Sequence, residues 1–243
     1  MSNAKKNNDE KLFRYELHAH CSEVSRCGQS TAEEMVRAFA EKGFSGLVFT
    51  DHFIFGNTAI DRSLPWEERM QQQADAYQSA MALGNKLGIT VLIGLEHHYG
   101  AGKELLIYGD ISFALLAAHP EIERMDVRQF ADFCHQNGWF VAQAHPFRER
   151  DYIDSRVQPI PEILDGVEVY NYCNRPEEND RALDFAKRHG LIPTSGSDTH
   201  SAALCGKAGV AFSAPIADGK QLAEALFAGQ AHLIIDGEIA DSL

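Results

Sequence analysis

The chain has 243 residues, 44% hydrophobic and 23% charged, with a formal net charge of −13. That content supports a substantial core in one α/β barrel-type domain or two small ones. So acidic a balance disfavours a stand-alone nucleic-acid binder, because phosphate backbones are repelled. No apolar run approaches the roughly 18 residues that a membrane helix needs. No secretory signal pattern opens the sequence, and the five cysteines are odd in number with no C-x-x-C pair. Free thiols in a reducing cytoplasm are the expectation.

In chain order, residues 1–10 are polar and are expected to form a disordered tail, with a single domain over 11–243. A strand over 15–20 comes first. Ser30-x-x-Glu33 reads as a capping box that opens a helix to about Lys42, stopped at Gly43. A strand over 47–52 is followed by a loop over 53–65. The segment 66–87 reads as one long helix stopped by Gly88. Strands over 91–96 and 104–108 precede a helix over 126–137, stopped by Gly138. After a strand over 140–145, the stretch 147–161 is rich in charge and proline. A strand over 166–171, a helix over 177–189 stopped by Gly190, and the segment 194–200 follow. A helix over 219–227 and a short strand over 232–235 close the chain. Strands alternating with helices argue for a parallel sheet or barrel.

Six of these segments run apolar residues into His, Asp or Glu. They end at His18-Ala19-His20, Asp51-His52, Glu96, His145, Glu168 to Asn171, and Asp198-Thr199-His200. Polar residues at the C-terminal ends of barrel strands converge on one site. Imidazoles and carboxylates gathered there have the composition of a metal centre. Neither pair is decisive alone: with 11 histidines, about 0.5 H-x-H pairs arise by chance. The set carries the signal. Alternate positions share one face of an extended chain, so His18 and His20 can address one ion, as can Asp198 and His200. Glu96 has two oxygens with which to bridge two cations. The loops 53–65 and 147–161 are expected over this face, where loops select substrate. Arg26 and Arg148 each follow a ligand-bearing strand, and a guanidinium fork suits phosphate oxygens. Asp51, beside His52, is a candidate to orient the site, bind metal or shuttle a proton. Glu168 and Asn171 are read as lining or packing groups. The Cys21 side chain is expected to point away from His20.

Leu-His-Ala-His, Thr-Asp-His, Gly-Leu-Glu, Ala-His-Pro and Gly-Ser-Asp-Thr-His, in this order, resemble the polymerase-and-histidinol-phosphatase (PHP) family from about Tyr15 to Val210. The resemblance implies a distorted seven-stranded β/α (TIM-like) barrel with two or three divalent ions, zinc, manganese or iron. It implies phosphoester hydrolysis by a metal-activated water, on a small phosphorylated substrate such as histidinol phosphate or a nucleotide. It also implies His18, His20, Glu96 and Asp198 as ligands of a first ion, Glu96 and His145 of a second, and His52 and His200 of a third. Two departures stand out. Where many members carry His or Asp, five or six residues after the H-x-H, this chain has Ser25 and Arg26. A further His ligand is expected between Glu96 and His145, with His97, His98 and His119 as candidates. Alternatives are a metal-dependent amidohydrolase and a non-catalytic metal-binding module.

Overall fold

The computed structural model describes residues 11–240, so the expected tail lies outside the described residues. Seven strands are hydrogen-bonded in sequence order: β1 (Phe13–Ala19), β2 (Gly46–Phe49), β3 (Thr90–Gly100), β4 (Lys103–Tyr108), β5 (Phe140–Gln143), β6 (Gly166–Asn171) and β7 (Ile192–Gly196). All neighbours pair in parallel except those of β4, which is antiparallel to both β3 and β5. A bridge between Ala19 and Thr199 brings the end of β7 back to β1, curling the sheet into a distorted barrel. The other half of the same β1 edge carries β8 (Gly209–Phe212), which leads antiparallel to β9 (His232–Ile235) and β10 (Glu238–Ile239). The resulting sheet is mixed α/β in one domain, as the resemblance implies.

Period-two alternation explains how the short strands pack on both faces. On β2, Val48 joins one buried cluster with Leu17, Leu92 and Tyr108, whereas Leu47 and Phe49 join a second with Met35, Val36 and Phe39. Those last three lie on α1 (Ala32–Glu41). Its capping box is Thr31–Glu34, one residue beyond the expected Ser30–Glu33. The doublets Ser30-Thr31 and Glu33-Glu34 offer both registers, and Ser30 is occupied elsewhere, its Oγ accepting from Ala202 N.

The expected helix over 66–87 is two helices, α2 (Trp66–Ala76) and α3 (Gln78–Leu87), broken at Tyr77. No Gly or Pro causes the break; the buried Tyr77 hydroxyl donates to Asp51 Oδ2 at 2.8 Å. A short α4 (Phe113–Ala117) has no strong sequence signal. Helices α5 (Val127–Gln136), α6 (Pro176–His189) and α7 (Gly219–Phe227) match their expected positions closely. No helix among the described residues is long and apolar enough to cross a membrane.

Candidate metal centre

The carboxyl ends of the parallel strands meet at one face. The β1–β2 pairing shifts register between Glu16 and Ala19. Such a bulge leaves backbone N–H groups unpaired and re-aims side chains. Here the buried Glu16 carboxylate takes up the N–H groups of Leu17 and His18, and also Ser197 N and Ser197 Oγ across the barrel seam. Burial pushes its carboxyl up to about 7. Gly196 permits the closing approach of β7, since a Cβ there would stand 2.4 Å from His18 Cβ. Beyond the end of β2, the chain bridges His52 to Glu96.

His18 Nδ1 bonds to Glu168 Oε1 at 2.8 Å, so its Nε2 is directed at Glu96 Oε1, 3.1 Å away, and Asp198 Oδ1, 3.5 Å away. His20 Nδ1 faces Ser25 Oγ at 3.3 Å, while its Nε2 lies 3.2 Å from Asp198 Oδ1 and 3.7 Å from Glu96 Oε2. A hydrogen bond at one ring nitrogen sets the tautomer and leaves the other as a lone-pair donor. His52 Nδ1 is 2.6 Å from Glu96 Oε2, and His145 Nε2 is 3.1 Å from Glu96 Oε1. Two of these residues hold left-handed backbone, Asp198 at φ 52° and His145 at φ 23°. Such conformations cost energy and collect at functional sites.

Four of the converging atoms are buried without an aligned hydrogen bond, although they crowd one another at the distances above: His18 Nε2, His20 Nε2, His52 Nδ1 and Glu96 Oε2. Buried polar atoms are almost always paired, so each such orphan needs an explanation. Four on one centre fit divalent cations. The side chains group as His18–His20–Glu96, His18–His145–Asp198, His52–Glu96–Glu104 and His20–His52–His200, each with ligand atoms within 4.8 Å of one another.

Family models match along most of this frame. The PHP domain matches residues 16–127 and the PHP-associated model matches 176–231, together more than half of the chain. The chain belongs to the PHP domain family. Its fold is similar to a chain from Bacteroides vulgatus described as a two-domain protein containing a predicted PHP-like metal-dependent phosphoesterase. The identity is 15% at a TM-score of 0.67, over 93% of this chain and 65% of that one. A Bifidobacterium adolescentis chain, described as a metal-dependent phosphoesterase, shares 18% identity at a TM-score of 0.54, over 81% of this chain and 91% of that one. A Chromobacterium violaceum amidohydrolase with bound sulfate shares 16% at a TM-score of 0.53, over 94% and 99%. No curated protein matches the sequence.

In this PHP domain the seven expected metal residues all reach one centre, at the base of a cavity of about 640 Å³. Residues from both expected loops line it, Phe55 to Asn57 from one and Arg148 and Tyr152 from the other. None of the three candidates for a further histidine falls in a cluster of ligand atoms among the described residues. His97 stacks on Phe130 at 3.9 Å, His119 pairs with Glu121, and His98 lines the cavity wall. Glu104 instead clusters with His52 and Glu96, with Oε1 3.5 Å from His52 Nδ1 and Oε2 3.5 Å from His145 Nε2. Sequence reasoning missed it because β4 runs antiparallel, so the first residues of that strand, not its last, lie at the site.

Ser25 stands beneath the site. Its hydroxyl donates to Asp51 Oδ1 at 2.6 Å, and its oxygen faces His20 Nδ1 and accepts from His52 N. Asp51 also accepts from Cys21 N, Cys21 Sγ and Tyr77 Oη, which turns the Cys21 thiol away from the cavity as expected. Glu168 and Asn171 lie behind His18, His145 and Arg148. Arg148 lines the cavity and bonds Asp198 Oδ2 at 2.6 Å, Asn171 Oδ1 at 2.8 Å and Asn174 Oδ1 at 2.7 Å. Arg26 is exposed, donates to Thr58 O, and is not among the cavity-lining residues.

The electrostatics are those of a concentrated charge cluster. Burial works against ionisation of Glu96, but His52 and His18 outweigh it and hold the carboxyl well below its usual range. Asp198 is likewise held low against burial by Arg148 and His18. Burial pushes His20 down to about 3, whereas against burial Glu168 raises His18 and Glu96 raises His52. The Cys27 thiol is lowered to about 6: burial opposes ionisation, but contacts with His200 and His52 prevail.

Proposed function

We propose that the chain is a divalent-metal-dependent phosphoesterase acting on a small phosphomonoester, with histidinol phosphate- or nucleotide-like esters as the first class to test. The observation that carries this reading is the convergence of His18 Nε2, His20 Nε2, His52 Nδ1 and Glu96 Oε2, all buried and none in an aligned hydrogen bond. In this assignment His18, His20, Glu96 and Asp198 hold one ion. Glu96, His145 and Glu104 hold a second, and His52 and His200 contribute to a third. We expect zinc, manganese or iron. Bound divalent ions supply Lewis-acid polarisation of phosphoryl oxygens and lower the pKa of water.

The chain's own groups do the positioning. Glu168 holds His18 through Nδ1, and Asp51, through Ser25, holds His20 and the backbone of His52. The role assigned to Asp51 is therefore orientation. Arg148 spends one N–H on each of its three partners, which leaves two of its five donors for phosphate oxygens. Of the two arginines, only Arg148 lines the cavity, so it carries the phosphate-binding role. A cavity of about 640 Å³ suits a small ester better than a polymer, as does the net charge of −13. The five free cysteines accord with a reducing cytoplasm.

The test is a metal-replete panel of phosphomonoesters, phosphodiesters and cyclic amides, run with elemental analysis. Monoester turnover with at least two ions per chain is the expected result. Turnover of amides alone would assign an amidohydrolase, and full occupancy without turnover would assign a non-catalytic module.

A further inference from the structure

We propose that the Cys27 thiolate is a metal ligand, completing with His52 and His200 a sulfur-containing site for a thiophilic divalent cation such as zinc; this rests on the metal-centre reading above. Cys27 Sγ lies 3.2 Å from His52 Nε2, on the opposite side of that ring from the Nδ1 that faces Glu96. His200 Nδ1 is 2.8 Å from Asp198 O, which can only accept. That fixes the proton on Nδ1 and leaves Nε2 as a lone-pair donor.

At the same place the fully buried His20 ring stacks 4.5 Å from that of His200, while its Nε2 faces Asp198 and Glu96 at the neighbouring ion position. His20, His52 and His200 already cluster closely enough to share an ion. Two ligands on one tetrahedral zinc stand about 3.5 Å apart, from Zn–S and Zn–N bonds near 2.3 and 2.0 Å. The Cys27–His52 separation is close to that.

The thiol is placed there by construction. The turn from Ser25 to Gly28 is closed by Gly28 N donating to Ser25 O, and Arg26 N pins it to Asn57 O. Gly28 sits so close to β1's exit that a Cβ would meet the Cys21 carbonyl carbon at 2.4 Å. The turn therefore aims Cys27 inward while Arg26 points to solvent. Cys27 is the one thiol among the residues that line the cavity. A thiolate prefers zinc or cobalt to manganese or magnesium, whereas the carboxylates of Glu96 and Glu104 suit harder ions. The centre would then be chemically graded, with one sulfur-bearing position. On coordination the thiol proton leaves to solvent and the S–metal bond forms with no change of oxidation state.

Cobalt(II) loading of the full chain tests this without reference to activity. A thiolate ligand produces an intense near-ultraviolet sulfur-to-cobalt charge-transfer band, which nitrogen and oxygen ligands do not. The band is expected in the wild type and in Cys173→Ser, and is expected to vanish in Cys27→Ser. That variant should hold one ion fewer per chain, with zinc affinity at that position down by more than about 100-fold. Cys27→His should recover the ion without the band. In the wild type, zinc should protect Cys27 from alkylation by iodoacetamide, a readout that requires no variant. A wild-type chain that loads ions but shows neither band nor protection overturns the proposal, as does a band that persists in Cys27→Ser. If that chain still hydrolyses phosphoesters, the functional reading above stands; if it binds no ion at all, both fall.

Discussion

Asp51 and Glu96 are buried to the same depth, 2% and 1% exposed, and Glu96 N donates to Asp51 O at 3.1 Å. Their carboxylates nonetheless live in opposite environments. Asp51 accepts from four donors: Cys21 N, Cys21 Sγ, Ser25 Oγ and Tyr77 Oη. Glu96 has an oxygen with no aligned hydrogen bond and is ringed by His18, His20, His52 and His145. A satisfied buried carboxylate is scaffold. One left with lone pairs facing imidazoles is stable only with positive charge beside it, as protons on the rings or as a metal ion between them. Burial alone therefore does not separate structure from function in this chain; hydrogen-bond saturation does.

Three variants sharpen or break that contrast, in decreasing order of expected effect. The wild type should gain about 4 kcal/mol of stability at a metal concentration 1,000 times Kd. Glu96→Gln should lose most of that gain, together with hydrolysis. Thermal melts with and without chelator read the difference; an equal metal-induced rise in Tm for the variant would remove Glu96 from the ligand set. Arg148→Ala should lower kcat/KM roughly 10- to 150-fold, corresponding to about 1.5–3 kcal/mol from a charge-assisted contact, with the ion count preserved. A loss confined to KM would mean that Arg148 binds ground and transition states equally. Wild-type kcat/KM would leave the phosphate to the ions alone. Asp51→Asn should cost about 1–3 kcal/mol of stability in chelated and metal-loaded protein alike, because an amide N–H would then face donors. Denaturant unfolding measures this, and a penalty seen only with metal present would make Asp51 part of the ion centre instead of its support.

Much of the centre was legible in the sequence because the chemistry coincides with local pattern. His18, His20, His52, Glu96, His145, Asp198 and His200 each lie at or just beyond the end of an apolar run. In a parallel arrangement those ends share one face. The Gly stops at 43, 88, 138 and 190 were equally readable, and all four residues have positive φ. Glu104 was not readable in this way. Its strand resembles the others in composition, and only its antiparallel direction brings its first residues to the metal face.

Sequence by itself determined the alternation of strands and helices, the seven candidate ligands at strand ends and the family they resemble, since each depends on spacing within a few residues. Tertiary structure decided the rest. It placed Glu104 and Cys27 at the centre and turned Arg26 outward, though Cys27 and Arg26 are neighbours in one turn. It broke the 66–87 helix at Tyr77, whose hydroxyl is drawn to Asp51, and moved the α1 cap by one residue. The physical reason is common to all of these. Strand direction, turn orientation and the choice between equivalent local registers are set by partners distant in sequence, and no periodicity in the chain records them.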